Sequence, residues 1–141
     1  MGHMAAARLI LDTDVIVDHL RGKSRLIETA LDNFRCAFTA ITLYELKAIQ
    51  EQREDQRLRL GALIRRVSIL SLDSDSAQHS ADIWLAPANR GAMIGLADIL
   101  SAGICLANDL PLLTRNFEHF NRIEGLKLVT PDGLQAHIDA G

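Results

Sequence analysis

Three carboxylates stand where apolar segments give way to polar ones, and together they could do chemistry. Asp12 ends the apolar start of "LILDTDVIVDHL", residues 9–20, with Asp14 and Asp18 following it. Glu45 lies in "AITLYELKAI", residues 40–49, and Asp98 in "GLADILSAGICLAND", residues 95–109. Carboxylates crowded into contact raise one another's pKa, and a hard dication removes that conflict. All-oxygen ligands suit Mg²⁺ or Mn²⁺. Such a centre can activate water and neutralise a phosphate during phosphodiester cleavage.

Each carboxylate also has a plainer use. Asp12 fits the N-cap of a following helix. Thr42-x-x-Glu45 fits a capping box, in which Glu45 would reach back to the N–H of Thr42. Asp98 is harder to explain locally, because it is the only charged residue from Ile94 to Ala107. An ionised carboxylate on so apolar a helix is costly unless it is paired or bound to metal. Leu96, Ile99, Leu100, Gly103, Ile104 and Ala107 can share one buried face of that helix, with Asp98, Ser101, Ala102 and Cys105 on another. In "TRNFEHF", residues 114–120, Thr114 and Asn116 can cap a short turn. Glu118 fits a solvated charge there, and His119 taken alone reads as a surface or satisfied histidine.

The elements that must position these residues alternate from end to end. Strands are expected at 8–12, 36–40, 67–72, 110–114 and 126–130. Helices are expected at 14–21, 24–33, 42–66, 73–91, 95–109, 116–120 and from Pro131. The stretch 42–66 reads as one helix or as two broken near 54–56, and Pro87 kinks or shortens the helix after Asp73. This alternation predicts a three-layer α/β/α sandwich with a mostly parallel central sheet. Ligands in such folds gather outside the carboxyl ends of the strands. Those ends are Asp12, the residues after Ala40 and the residues after Leu113. No repeat, low-complexity segment or linker interrupts the pattern, so residues 5–141 are expected to form a single domain. The opening "MGHM" resembles an expression-vector remnant, which sets residues 1–3 aside and leaves no room for a signal peptide.

Composition narrows the function classes. The chain has 141 residues, 48% apolar and 4% aromatic, so Leu, Ile and Ala must do most of the packing. Its net charge of −3 excludes holding nucleic acid by bulk attraction; local patches or a bound cation would be needed. Cys36 and Cys105 form no CxxC pair and no zinc spacing, which points to reduced, buried thiols in a cytoplasmic protein. No apolar run approaches the roughly 20 residues that span a bilayer. Arg21, Lys23 and Arg25 flank the first turn, and Arg53, Arg57, Arg59, Arg65 and Arg66 crowd the long helical stretch. Leu43, Leu46, Ile49, Leu58, Leu60, Leu63 and Ile64 are expected mostly to pack the core, with some left over for a partner groove or a dimer face.

Four motifs in this order, "LILDTDVIVDHLRG", "TAITLYELKAI", "IGLADILSAGICLAND" and "LPLLTRNFEHFNRIEGLKLVTP", resemble a PIN domain, and in particular the VapC-type toxin ribonucleases of toxin–antitoxin pairs. The resemblance covers nearly the whole chain. It implies a Mg²⁺- or Mn²⁺-dependent endoribonuclease acting on tRNA or rRNA, frequent homodimers, and inhibition by a small antitoxin protein. Carried over by position, Asp12, Glu45 and Asp98 match the acidic metal ligands. The fourth catalytic position, often Asp in the wider family, is Asn116 here, as in many VapC-like sequences; Asn116 or Glu118 completes the set. Thr13 and Thr114 would orient the ligands, Asp14 is a further acidic neighbour, and Arg115 is the RNA-binding candidate. Two rivals remain in view. An apolar strand followed by Asp-x-Asp also resembles haloacid dehalogenase-type phosphatases, with Asp12 as nucleophile, Asp14 as acid/base and a faint later motif at residues 107–109. The other rival is a PIN-like module kept only for binding.

Overall fold

The computed structural model describes residues 7–49, 53–91 and 94–140. The expected vector remnant at residues 1–3 lies outside them. Strands β1 (Arg8–Leu11), β2 (Arg35–Thr39), β3 (Ser68–Leu70), β4 (Leu112–Leu113) and β5 (Leu128–Val129) form one five-stranded sheet in the order β3-β2-β1-β4-β5. Every pairing is parallel. Parallel neighbours need crossovers, and helices α1 (Thr13–Leu20), α2 (Leu26–Asn33), α3 (Ala40–Tyr44), α4 (Glu54–Ile64), α5 (Ser74–Leu85), α6 (Leu96–Asn108), α7 (Phe117–Phe120) and α8 (Leu134–Ala140) lie between and after the strands.

Strand alternation divides the core in two. Leu9, Leu11 and Phe38 face a cluster with Ile16, Ile27, Leu60 and Leu134. Ile10, Ala37 and Leu112 face the other side, against Ile83, Ile99, Ala102 and Phe120. The sheet is therefore covered on both faces, as the three-layer expectation required. On the second side α5 and α6 approach closely, because Gly103 presents no side chain to Ser76 and Ser80.

Two helices break close to where one of the expected alternatives placed the break. The stretch 42–66 is not continuous: α3 passes into a π-helical segment, Glu45–Ile49, and α4 starts anew at Glu54. Residues 50–52 lie outside the described residues. α5 stops at Leu85, the early end expected from Pro87. Pro87 lacks the N–H that would continue the helix, and the chain tightens into a 3-10 turn at Pro87–Asn89. In the long stretch, Leu46, Leu60 and Leu63 are buried, Leu43 and Ile64 pack against the core, and Ile49 and Leu58 are exposed. Among the described residues no helix is long and apolar enough to cross a membrane. Both thiols are free and buried, and burial pushes each up to about 12.

The strand order positions the site. The chain steps from β1 to β2 to β3 toward one edge, then places β4 and β5 on the other side of β1. The direction reverses between β1 and β4, and a crevice opens at the carboxyl ends of the strands where this happens. Asp12 follows β1 there, and Thr114 follows β4.

Candidate active site

Asp12 is the N-cap of α1, and its Oδ1 accepts a 2.9 Å hydrogen bond from the backbone N–H of Thr13. Its other oxygen, Oδ2, accepts from the Thr114 hydroxyl at 2.7 Å. The carboxyl group is buried, at 6% exposure. Burial, then the charge of Asp14, push it up to about 7, with Asp98 adding to the rise and the hydrogen bonds from Thr114 and Thr13 opposing it. Asp14 stands beside it. Its Oδ2 accepts from the backbone N–H of Arg115 at 3.1 Å, while its buried Oδ1 has no hydrogen-bond partner. Burial raises this carboxyl too, against the Arg115 N–H.

The capping box expected at Thr42 and Glu45 does not form. Thr39 caps α3 instead, its hydroxyl accepting from the Thr42 N–H at 3.1 Å. Glu45 is left to open the π-helical segment, and its Oε1 accepts from the Thr13 hydroxyl at 2.8 Å. Thr13 has one hydroxyl proton, so Thr42, 3.0 Å away, donates to Thr13. A π-segment of this kind is rare and is often found at functional sites.

Asp98 sits in the first turn of α6, and its Oδ2 lies 2.8 Å from Nε2 of His119. One turn on, the buried Ser101 hydroxyl is 2.9 Å from that of Thr39, which ties α6 to the end of β2. Leu96, expected on the buried face, is 73% exposed. It is the first residue of the helix, where the chain still runs outside the core.

Asp12, Glu45 and Asp98 line one cleft of about 370 Å³ together with Thr13, Asp14, Arg115 and Asn116. Asp18, Arg21 and Val17 complete its wall. Thr114 lies behind the cleft, fully buried, giving its proton to Asp12 and accepting from the Asn116 N–H at 3.0 Å. Asn116 holds the N-cap position of α7 without a side-chain capping bond. Glu118 does not line this cleft; it lies in a neighbouring one. Arg115 reaches across to Asp18, Nε to Oδ2 at 2.9 Å. Two participants escaped the sequence reading. His119 looked like an isolated histidine, and its signal was a place one turn after Asn116 at the same sheet edge. Asp18 was visible one turn after Asp14 but had no assigned partner.

The arrangement is a set of negative charges held by hydroxyls and N–H groups. Among the described residues no three His, Cys, Asp or Glu side chains stand as a ready-made metal-holding group. Glu45 is engaged by Thr13, and Asp98 by His119. The unpartnered Oδ1 of Asp14 and the raised Asp12 mark where negative charge lacks compensation.

Residues 9–126 match the PIN domain. The chain belongs to the PIN domain family. Among proteins similar to this PIN domain are the tRNA(fMet)-specific endonuclease VapC of Salmonella typhimurium, 27% identical over 86% of this chain and 96% of that one, and ribonuclease VapC1 of Methanocaldococcus jannaschii, 28% identical over 86% and 87%. The fold is shared with VapC-containing complexes. DNA-bound VapBC from Salmonella typhimurium aligns with a TM-score of 0.78 at 24% identity, covering 89% of this chain and 98% of that one. VapBC-1 from nontypeable Haemophilus influenzae aligns with a TM-score of 0.74 at 25% identity over 89% and 98%. The PIN match sets aside the phosphatase reading, and the geometry agrees. Asp109, its later acidic residue, caps α6 in a left-handed conformation and pairs with Lys127 at 3.0 Å, away from the residues that line the cleft.

Proposed function

We propose that this protein is a VapC-type toxin: a Mg²⁺- or Mn²⁺-dependent endoribonuclease held in check by a small antitoxin protein. The observation that carries the reading is the shared cleft, in which Asp12, Asp14, Glu45 and Asp98 bring carboxylates to the switch point of the sheet. The donor set fits a hard dication by chemistry, since all its members are oxygen ligands. The unpartnered Asp14 oxygen and the raised Asp12 supply the electrostatic reason to bind one. Asp12, Glu45 and Asp98 would hold the ion, which when bound supplies neutralisation of the phosphate and activation of water.

The remaining roles belong to the chain itself. Thr114 and the Thr13 N–H fix the two oxygens of Asp12. The Thr13 hydroxyl orients Glu45, and His119 orients Asp98. Asn116 contributes an uncharged amide to the rim in place of a fourth carboxylate. Arg115 offers a guanidinium for an RNA phosphate at the same rim. The named ribonucleases among the relatives support RNA as the substrate, and the VapBC neighbours support an antitoxin partner. A homodimer in the cytoplasm is part of the same proposal, with the exposed Ile49 and Leu58 as apolar surface available to a partner.

The test is cleavage of pooled tRNA and rRNA by purified protein with Mg²⁺ or Mn²⁺, with EDTA, and by Asp98→Asn in parallel. Metal-dependent cutting that Asp98→Asn lacks, with its circular dichroism unchanged, is the expected result. Equal cutting by Asp98→Asn would overturn the site. No cutting and no Mn²⁺ binding at millimolar concentration would leave a PIN module that acts by binding alone.

A further inference from the structure

Of the four phenylalanines, Phe34, Phe38 and Phe120 are buried, whereas Phe117 is 44% exposed. Tyr44 and Trp84 are exposed as well, but neither lines the carboxylate cleft or the one beside it; Phe117 is set apart by its place next to the acidic site. Phe117 lines a second cleft, of about 570 Å³, with Arg115, Asn116, Glu118, His119 and Thr130. Arg115 and Asn116 line the carboxylate cleft as well, so the two clefts meet along the start of α7. His119 forms a fixed wall between them: its Nε2 is engaged by Asp98 at 2.8 Å, and its ring packs edge-on against Phe120 at 5.2 Å.

We propose that this second cleft receives an unpaired nucleobase next to the phosphate being cut, with Phe117 as its stacking surface. The inference rests on the nuclease reading and adds a subsite to it: a place beside the cut phosphate for one base that is free to leave the stack. The chemistry of the wall fits a base and the strand that carries it. Phe117 offers an apolar ring to the base face. Asn116 offers both donor and acceptor to the base edge, and Glu118 accepts from exocyclic amino groups. Arg115, shared by both clefts, offers its charge to the intervening phosphate. A duplex keeps its bases stacked and paired, so it cannot use Phe117.

The probes are 5′-fluorescein decauridylate, whose bases stack little on one another, and a decameric ribose-phosphate strand without bases. Binding is followed by anisotropy in Ca²⁺ buffer with wild type, Phe117→Ala and Phe117→Trp. Phe117→Ala should weaken decauridylate binding about tenfold, in the range of one base–aromatic stack. It should leave the baseless strand unchanged, and Phe117→Trp should restore or exceed wild-type affinity. Free uridine at the same nucleotide concentration should not displace decauridylate, which separates a base on a strand from a free nucleoside. If wild type cuts RNA and binds decauridylate while Phe117→Ala binds both strands as wild type does, the base site is overturned and the nuclease reading stands. A change in sedimentation without a change in RNA binding would assign Phe117 to a protein contact and also overturn the proposal. If wild type neither cuts the RNA pool nor binds decauridylate, the nuclease reading falls and takes the base site with it.

Discussion

Asp12 occupies a place that its own charge disfavours. Its folded pKa of about 7 lies above the ordinary 3.8, first because it is buried and then because Asp14 is beside it. Between those values the folded protein keeps a proton that the unfolded chain has released. Stability therefore falls as pH rises from about 4 to about 7, and the cost is complete above that range. The rise from 3.8 to about 7 corresponds to a ceiling of about 4 kcal/mol. In EDTA, Asp12→Asn should raise the melting temperature at pH 8 and leave it nearly unchanged near pH 4; asparagine keeps an acceptor for the Thr13 N–H. Millimolar Mg²⁺ at pH 8 should raise the wild-type Tm and not that of Asp12→Asn. A gain from Asp12→Asn that is the same at both pH values would mean that charge is not what strains the site. This residue was readable in the sequence, because a carboxylate that ends an apolar strand has few neighbours to choose from. Its hydrogen-bond partner Thr114 lies 102 positions away in the chain, so spacing alone placed it at the same edge and only the family resemblance gave it a part in orienting the ligands.

At the scale of elements, alternation and helix breakers carried most of the information. Leu9, Ile10 and Leu11 alternate between two cores as their spacing requires, and Pro87 ends α5 for a reason local to its own ring. The failures share another cause. Thr39 and Thr42 offer equivalent caps, and the choice depends on where β2 stops, which is set by its pairing with β1 and β3. Glu45 meets Thr13 from the first residue of a π-helical segment, and no residue type announces that widening. Gly103 likewise reads as one more small residue in an apolar helix. In the fold it is the point where α6 meets α5: an added Cβ would clash with the Ser80 hydroxyl and come within 2.6 Å of the Ser76 carbonyl oxygen. Backbone cannot yield as a side chain can, so Gly103→Ala should destabilise the protein by about 3 kcal/mol. Urea unfolding of Gly103→Ala should show a lower midpoint with an unchanged slope. A midpoint equal to wild type would show that the two helices separate easily.

The whole molecule carries a net charge of −3, yet the proposed substrate is a polyanion. Attraction must then be local: Arg21 and Arg115 both line the carboxylate cleft, and Arg115 stands at the rim shared by the two clefts. That guanidinium is already spent in part on Asp18, 2.9 Å away, with the arginine side chain 54% exposed. An exposed pair of this kind adds little to stability, so its effect should appear in binding. Removing either partner should move RNA affinity in opposite directions. Arg115→Gln should weaken binding of a single-stranded oligoribonucleotide and reduce the slope of log K against log salt by about 0.7, the value for one phosphate contact on a single strand. Asp18→Asn should tighten binding, because it removes a negative charge from the cleft wall and releases the guanidinium to the phosphate. Anisotropy titrations from low to physiological salt read both effects at once. Should Asp18→Asn weaken binding instead, the ion pair would be holding Arg115 in its working position, and Asp18 would belong to the recognition surface as its support.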